Sequence, residues 1–400
     1  MDGEGQSGVR GFLFSAVSCG LKRKEDELDL ALIFSQSPAT VAGVFTRNLV
    51  AAAPVVLDRE RLARGVSRGI LANAGCANAC TGPEGYQDAL ETARCAAQEL
   101  GVNPEEIMVA STGVIGTRLP LDRIRRGIPA LVQGLGPERL GDVARAIMTT
   151  DTRPKWTHRR TVLGGAEVRM AAVVKGAGMI HPQMATMLCF VATDAAVSPG
   201  FLQSCLEGSL GRSFHAITVD GDTSTNDTVL VLANGLSGGA SIREGSREGR
   251  VFQELLGDVL EEMALAVVGD AEGATKLVHV EVEGATDDRC ADRVARAIAH
   301  SPLVKTAFYG QEVNWGRIVA AAGYSGVRLE PERMDLWYGQ VQVLKGGRPL
   351  GEEMESLARD VARQKEFKIR ICLGMGPGRA LIHTCDLSHD YVTINGSYRS

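Results

Sequence analysis

Lys175-Gly-Ala-Gly-Met-Ile-His-Pro-Gln-Met-Ala-Thr-Met-Leu-Cys-Phe-Val-Ala192 is the stretch on which the fold turns. Residues 171–174 lead into it as a strand-like apolar run, a glycine-rich loop follows, and residues 187–192 are again continuously apolar. Such an unbroken run is what a strand buried on both faces carries. The loop ends at Ala185-Thr186, where that strand begins. A threonine so placed, behind a small residue and a loop stiffened by Pro182, can attack the carbonyl before it. An ester forms and hydrolyses, and the freed α-amine, with a pKa near neutrality, serves as the hydroxyl's own base. The plainer alternative is a β-branched residue that merely opens a strand, and spacing alone favours it.

Outward from this stretch, helical and strand-like segments alternate without repeats or low complexity. Residues 83–100 read as a helix: Pro83 suits a first turn, Ala89, Leu90, Ala93, Ala97 and Leu100 form one stripe, and Gly101 ends it. Further helices are predicted over 251–268, 288–299 and 352–364. Period-two alternation predicts strands at 277–283, around Leu336 and Tyr338, in the valines near Gln342, and from Phe367 to Leu373. The mixture implies an α/β, α+β-layered fold.

The chain has 400 residues, 44% hydrophobic, with a net charge of −5. Charges are interspersed, so neither nucleic acid nor an anionic membrane is an expected partner. No apolar run approaches the roughly 20 residues of a membrane span. The early apolar segment 12–17 follows Asp2 and Glu4 instead of a basic region, which argues against a secretory signal. Nine cysteines without a CxxC fit reduced thiols, and the expected location is cytoplasmic.

The central stretch, taken with others in the same order, resembles the ornithine acetyltransferase family, the bifunctional glutamate N-acetyltransferases of arginine synthesis. The carrying segments are Leu30-Ala-Leu-Ile33, Pro38-Ala-Thr-Val-Ala-Gly-Val-Phe-Thr46, Ala77-Asn-Ala-Cys-Thr-Gly82 and Ala110-Ser-Thr-Gly-Val-Ile-Gly116. Ile147-Met-Thr-Thr-Asp-Thr152, Asp220-Gly-Asp-Thr-Ser-Thr-Asn-Asp227, Asn314-Trp-Gly-Arg-Ile318 and the C-terminal Cys385–Ser400 region complete the set.

The resemblance implies an N-terminal-nucleophile-like fold and a chain that cuts itself between Ala185 and Thr186. An α chain, 1–185, would hold the oxyanion segment; a β chain, 186–400, would begin at the nucleophile and end in a smaller α/β domain from about 280. Domain one would be dominated by the α chain, with the site between the two domains. Thr186 would take acetyl from N-acetylornithine and pass it to glutamate. Thr112 and Gly113 would stabilise the oxyanion, and Thr149, Lys175, Glu272, Asn395 and Ser400 would bind substrate beside Thr186. In isolation, a turn after a strand at 107–110 is the better reading of Thr112-Gly113, as are a solvated lysine for Lys175 and a helix-end carboxylate for Glu272. The resemblance also implies an α2β2 assembly whose C-terminal tail packs into the site. It implies no metal and no resident cofactor, with acetyl-CoA as the one co-substrate left open. The alternative is an N-terminal-nucleophile aminopeptidase or amidase of related fold, with water as acceptor.

Gln183, Cys76, Gln311 and Ser400 depart from residues more usual in that family and bear on substrate fine specificity. Competing motifs fall away. In the run from Asp220, Thr225 stands where a calcium loop needs glycine and Val231 where it needs glutamate, so a turn near the site is expected. Gly374-Met-Gly-Pro-Gly378 lacks the residues of a phosphate loop and reads as a turn. His181, five residues before Thr186, is assigned to loop structure, and no serine elbow or HExxH is present.

Overall fold

The computed structural model describes residues 8–24, 26–181 and 187–397. Its first sheet comprises β1 (Phe12–Val17), β2 (Leu30–Phe45), β3 (Val66–Cys76), β4 (Ile107–Val114), β5 (Lys155–Leu163), β6 (Ala166–Lys175), β7 (Leu188–Thr193) and β8 (Thr228–Ala233). The order is β4-β3-β2-β8-β7-β6-β5, with β1 added along β2. The 16-residue β2 does two jobs. Leu30–Phe34 pair with β3, the register breaks between Phe34 and Ala39, Ala39 and Thr40 meet β3 again, and Thr40–Phe45 pair with β8. The sheet folds at that break, and Pro38, which has no N–H to donate, suits the gap in the ladder.

Side-chain alternation then makes four layers. Ala31, Ile33, Ile70, Ala72, Met108 and Ala110 face Ala171, Val173, Leu188, Phe190, Leu230 and Leu232 in a core between the two halves. The opposite faces carry Leu30, Leu71 and Val109 toward the helices Gly82–Leu100 and Leu121–Gln133, and Cys189, Val191 and Val229 toward Pro199–Leu210 and Arg247–Val268. β7 therefore buries both faces, as its unbroken apolar run requires. Each large side chain so buried contributes about 1.5–3 kcal/mol. The helix Gly82–Leu100 ends at Gly101 in the left-handed region, φ +68°, where a side chain would be strained.

A second sheet comprises β9 (Leu277–Ala285), β10 (Asp335–Tyr338), β11 (Val341–Lys345), β12 (Arg348–Pro349), β13 (Glu366–Cys372) and β14 (Gly378–Cys385), ordered β12-β11-β10-β13-β9-β14. The helices Asp288–His300, Trp315–Gly323 and Glu352–Ala362 cover one face, against Val278, Val280, Val282, Ile369 and Ile371. The helices predicted over 83–100, 251–268, 288–299 and 352–364 are all present within a few residues of those bounds. Among the described residues no helix is long and apolar enough to cross a membrane.

Candidate active site

One cleft collects residues from distant parts of the chain: Thr112 and Gly113 from β4, Thr149 and Thr150 from the loop before β5, Lys175 from the end of β6, Ser224–Asn226 from the loop before β8, and Glu272 and Asn395. Its empty volume is about 560 Å³, part of it open to solvent. The expected residues Thr112, Gly113, Thr149, Lys175, Glu272 and Asn395 thus share one space. Thr186, with Ala185 and Gln183, and Ser400 lie outside the described residues.

Thr112 and Gly113 are not in a turn, because β4 runs on to Val114. Gly113 sits at φ +128°, opposite Gly75, and a Cβ there would lie 2.4 Å from the Gly75 carbonyl carbon. Only glycine fits both the space and the angle. Thr112 is 4% exposed, and Lys175 Nζ donates to its Oγ1 at 3.2 Å. The Asn226 amide donates to the carbonyls of Ala77 and Ser111, at 2.7 and 2.8 Å. That ties the peptide entering Thr112 to the strand beside it.

Lys175 is buried, so desolvation lowers its pKa below the usual lysine range; Asp151 is the largest force opposing that. Asp151 Oδ1 accepts from Lys155 Nζ at 2.6 Å and from the Gly176 N–H at 2.8 Å, and Oδ2 accepts from the Thr149 N–H at 3.0 Å. Burial alone would raise the Asp151 carboxyl, but the Lys175 and Lys155 charges hold it down at about 2. Lys155 also pairs with Asp270 Oδ2 at 2.5 Å, and Thr152 donates to both Asp270 oxygens. This buried network links the Thr149 loop, the Lys175 loop and the Glu272 loop.

Glu272 is 8% exposed and packs its carboxylate on Gly178, where a Cβ would lie 2.4 Å from Oε2. Asn395, on the helix His389–Ser397, donates to Glu272 Oε2 at 2.7 Å. The same helix offers Tyr391 to Asp220 Oδ2 at 3.3 Å, and Asp220 also accepts from the Met179 and Ile180 N–H groups at 2.6 and 2.9 Å. The polar run from Asp220 is therefore part of the cleft and its supports. His181 Nδ1 lies 3.2 Å from His300 Nε2, which anchors the loop to the second sheet's helices. Gly374–Gly378 is the connection between β13 and β14. Among the described residues no group of three or more His, Cys, Asp or Glu side chains could hold a metal ion.

The residues that sequence reasoning passed over are Asp151, Lys155, Asn226, Asp227 and Asp270. Four lie inside or beside quoted motifs, and Lys155 opens β5. Locally they look like members of ordinary polar runs, such as Thr149–Lys155 and Asp220–Asp227, and only burial sets them apart.

Lys175 and Glu272, a cation and an anion, line one polar cleft together with the Thr112 hydroxyl and the glycine-bearing end of β4, and this defines the class: an α/β-layered protein with a concave, two-charge binding cleft. The ArgJ family matches residues 13–400 of the chain. The arginine biosynthesis bifunctional protein ArgJ of Geobacter sulfurreducens is 51% identical over 392 residues, 98% of this chain and 100% of that protein. Its namesake from Symbiobacterium thermophilum is 51% identical over 93% of this chain and 92% of its own length. A solved chain of the same name from Bacillus halodurans is 42% identical, with a TM-score of 0.50, and covers 52% of this chain and 98% of itself. This chain belongs to the ArgJ family.

Proposed function

We propose that the chain is a glutamate N-acetyltransferase of arginine biosynthesis, self-activated at Thr186. It moves acetyl from N2-acetyl-L-ornithine to L-glutamate through an acetyl-threonine. The observation that carries this is the placement of Lys175 and Glu272 in one cleft with Thr112 and Gly113. A zwitterion needs both charges, and Thr149 and Asn395 add neutral hydrogen-bonding groups. Met187 supports the nucleophile assignment. Its N–H, one peptide bond beyond Thr186, donates to Asp227, the neighbour of cleft-lining Asn226.

In this reading the acetyl carbonyl lies against Thr112 and the Gly113 backbone, where one donor to the oxyanion contributes roughly 3 kcal/mol. Ornithine leaves, glutamate enters the same charge pair, and the second half-reaction reverses the first, so ping-pong kinetics follow. Ser400 would complete the substrate contacts. No metal or resident cofactor takes part, and the assembly is an α2β2 of the two pieces. All nine cysteines are unpaired, which supports a reducing, cytoplasmic setting.

Intact mass and N-terminal sequencing of the purified protein beside Thr186→Ala test the reading. The expected result is two chains, the second starting Thr-Met-Leu-Cys, and an uncut variant. A folded wild type that stays whole would overturn it. Labelled acetylornithine with glutamate should then yield labelled acetylglutamate; free acetate instead would mark an amidase. Acetyl-CoA with glutamate tests the second donor in the same assay.

A further inference from the structure

β4 is the last strand on its side of the first sheet and pairs with β3 alone. Within a strand, the N–H and C=O of one residue point to the same edge, and those of the next residue point to the other. Val109, Ser111 and Gly113 therefore turn one way. Val109 marks which way, because its N–H donates to the Asp58 carboxylate of the helix Ala53–Leu62, at 3.0 and 3.2 Å. That edge looks away from β3. Two residues on, the Ser111 carbonyl lies on the same edge and accepts from Asn226 Nδ2 at 2.8 Å. The next group in the row is the Gly113 N–H, and Gly113 lines the cleft.

The same Asn226 nitrogen donates to the Ala77 carbonyl at 2.7 Å, and the Ala77 N–H donates to the Val114 carbonyl at 3.0 Å. One amide thus holds the backbone on both sides of Gly113, at Ser111 directly and at Val114 through Ala77. Gly113, at φ +128°, has no side chain to fix its own peptide, so its neighbours must set the direction of its N–H.

The chemistry selects an amide for this place. Two carbonyls can only accept, so the atom between them must carry two hydrogens, and the amide NH2 has both in use. Thr225 Oγ1 donates to Asn226 Oδ1 at 2.6 Å and fixes which way the amide lies. The Asn226 N–H donates to Ser224 Oγ at 3.0 Å, and its carbonyl accepts from Thr228 Oγ1 at 2.9 Å. Asn226 is 5% exposed and borders the cleft, yet it has no hydrogen left to give a substrate.

We propose that Asn226 is a positioning residue for acyl transfer. By clamping the Ser111 and Ala77 carbonyls, it aims the Gly113 N–H at the oxygen that becomes negative when the acetyl carbonyl is attacked. The proposal rests on the reading in which Thr112 and Gly113 receive that oxyanion. A donor stabilises a developing charge most when it already points there, since turning toward it during the reaction would consume part of the gain.

The test measures acetyl transfer to glutamate from N-acetylornithine and from its thioacetyl analogue, in wild type, Asn226→Ala and Thr225→Val. Sulfur is a poor hydrogen-bond acceptor, so an aimed N–H makes the enzyme favour the oxygen donor. Asn226→Ala should lower kcat by about 10–10²-fold with KM little changed, short of the roughly 10²–10³-fold cost of removing a donor outright. Its oxygen-over-sulfur preference, the ratio of kcat/KM for the two donors, should shrink by a similar factor. A mere brace would slow both donors alike and leave that ratio at the wild-type value. Thr225→Val keeps its shape and only frees the amide, so it should show the same signature more weakly. An unchanged kcat in Asn226→Ala, or a lowered kcat with the wild-type ratio, overturns the proposal. Where Asn226→Ala does not fold or does not cut, Thr225→Val decides by the same two readouts. A wild type that transfers acetyl without favouring oxygen would instead overturn the oxyanion reading beneath, and the proposal with it.

Discussion

Around the cleft, Asp151, Lys155, Lys175, Asp227 and Asp270 are all buried, and most are tied to one another or to loop N–H groups. The second sheet places its charges differently. Its helix-facing side is apolar, and Lys368–Glu281 and Arg370–Glu283 pair on the opposite side at 3.3 and 3.0 Å, half open to solvent. Its buried polar groups are few: Lys305 donates to Thr384 Oγ1 at 2.9 Å, His279 and His383 face each other across the β9–β14 ladder at 2.6 Å, and His300 meets His181 at the junction. Burying charge is unfavourable unless partners are complete. The first region accepts that cost around its cleft; the second buries few charges, Lys305 among them, and otherwise folds around a largely hydrocarbon core.

Asp151→Asn tests the contrast most severely. It strips the main anion from Lys175 and one of two from Lys155 while leaving both ammoniums buried, and should destabilise the cut protein by about 3–5 kcal/mol in urea unfolding. A loss below about 1 kcal/mol would show that the buried network does not hold the loops. Next comes Thr112→Val, which keeps the shape and removes the hydroxyl. It should lower kcat by about 10²-fold with little change in melting temperature, and an unchanged kcat would remove Thr112 from the oxyanion site.

The second region should respond to pH instead. Burial, then the neighbouring ring, holds His300 and His383 each down at about 4, below the ordinary histidine value near 6.5. The unfolded chain therefore binds more protons between those values. The stabilisation is complete above about pH 6.5 and is lost as pH falls toward 4, on the order of 2–3 kcal/mol per histidine. His383→Gln should flatten that part of the stability–pH curve; an unaltered slope would mean that the histidine pair does not titrate with unfolding. Smallest is Arg370→Ala, which loses an ion pair and a stacking contact over Trp337 at 3.9 Å. Its cost should stay under about 1 kcal/mol and shrink with salt. A larger loss would contradict the claim that this face is energetically minor.

Periodicity carried the elements because it reports burial directly. Val278, Val280 and Val282 alternate with His279, Glu281 and Glu283, and β9 forms over them. The stripe ending at Gly101 is likewise a helix closed by a left-handed glycine. The fold-over of β2 was less visible. Leu30–Ile33 and Pro38–Thr46 read as separate segments, and a single strand joins them through the break in register. That β3 follows β2 across the break while Thr40–Phe45 also take β8 depends on partners far along the chain, and no local pattern encodes that choice.

Asp220, Asp222 and Asp227 look alike in sequence, a polar run before an apolar strand. The fold separates them: Asp227 is wholly buried, Asp220 anchors a loop through two N–H groups, and Asp222 is exposed. By itself the sequence determined the family, the strands that end at Lys175 and begin at Leu188, and the residue types the chemistry needs. Only tertiary structure decided that Lys175, Glu272 and Asn395 share a cleft with Thr112, and that Asp151 and Asp227 stand behind it. A side chain's chemistry is local, whereas its desolvation and its charged neighbours come from elements brought together by folding, and those set what a carboxylate or an ammonium can do.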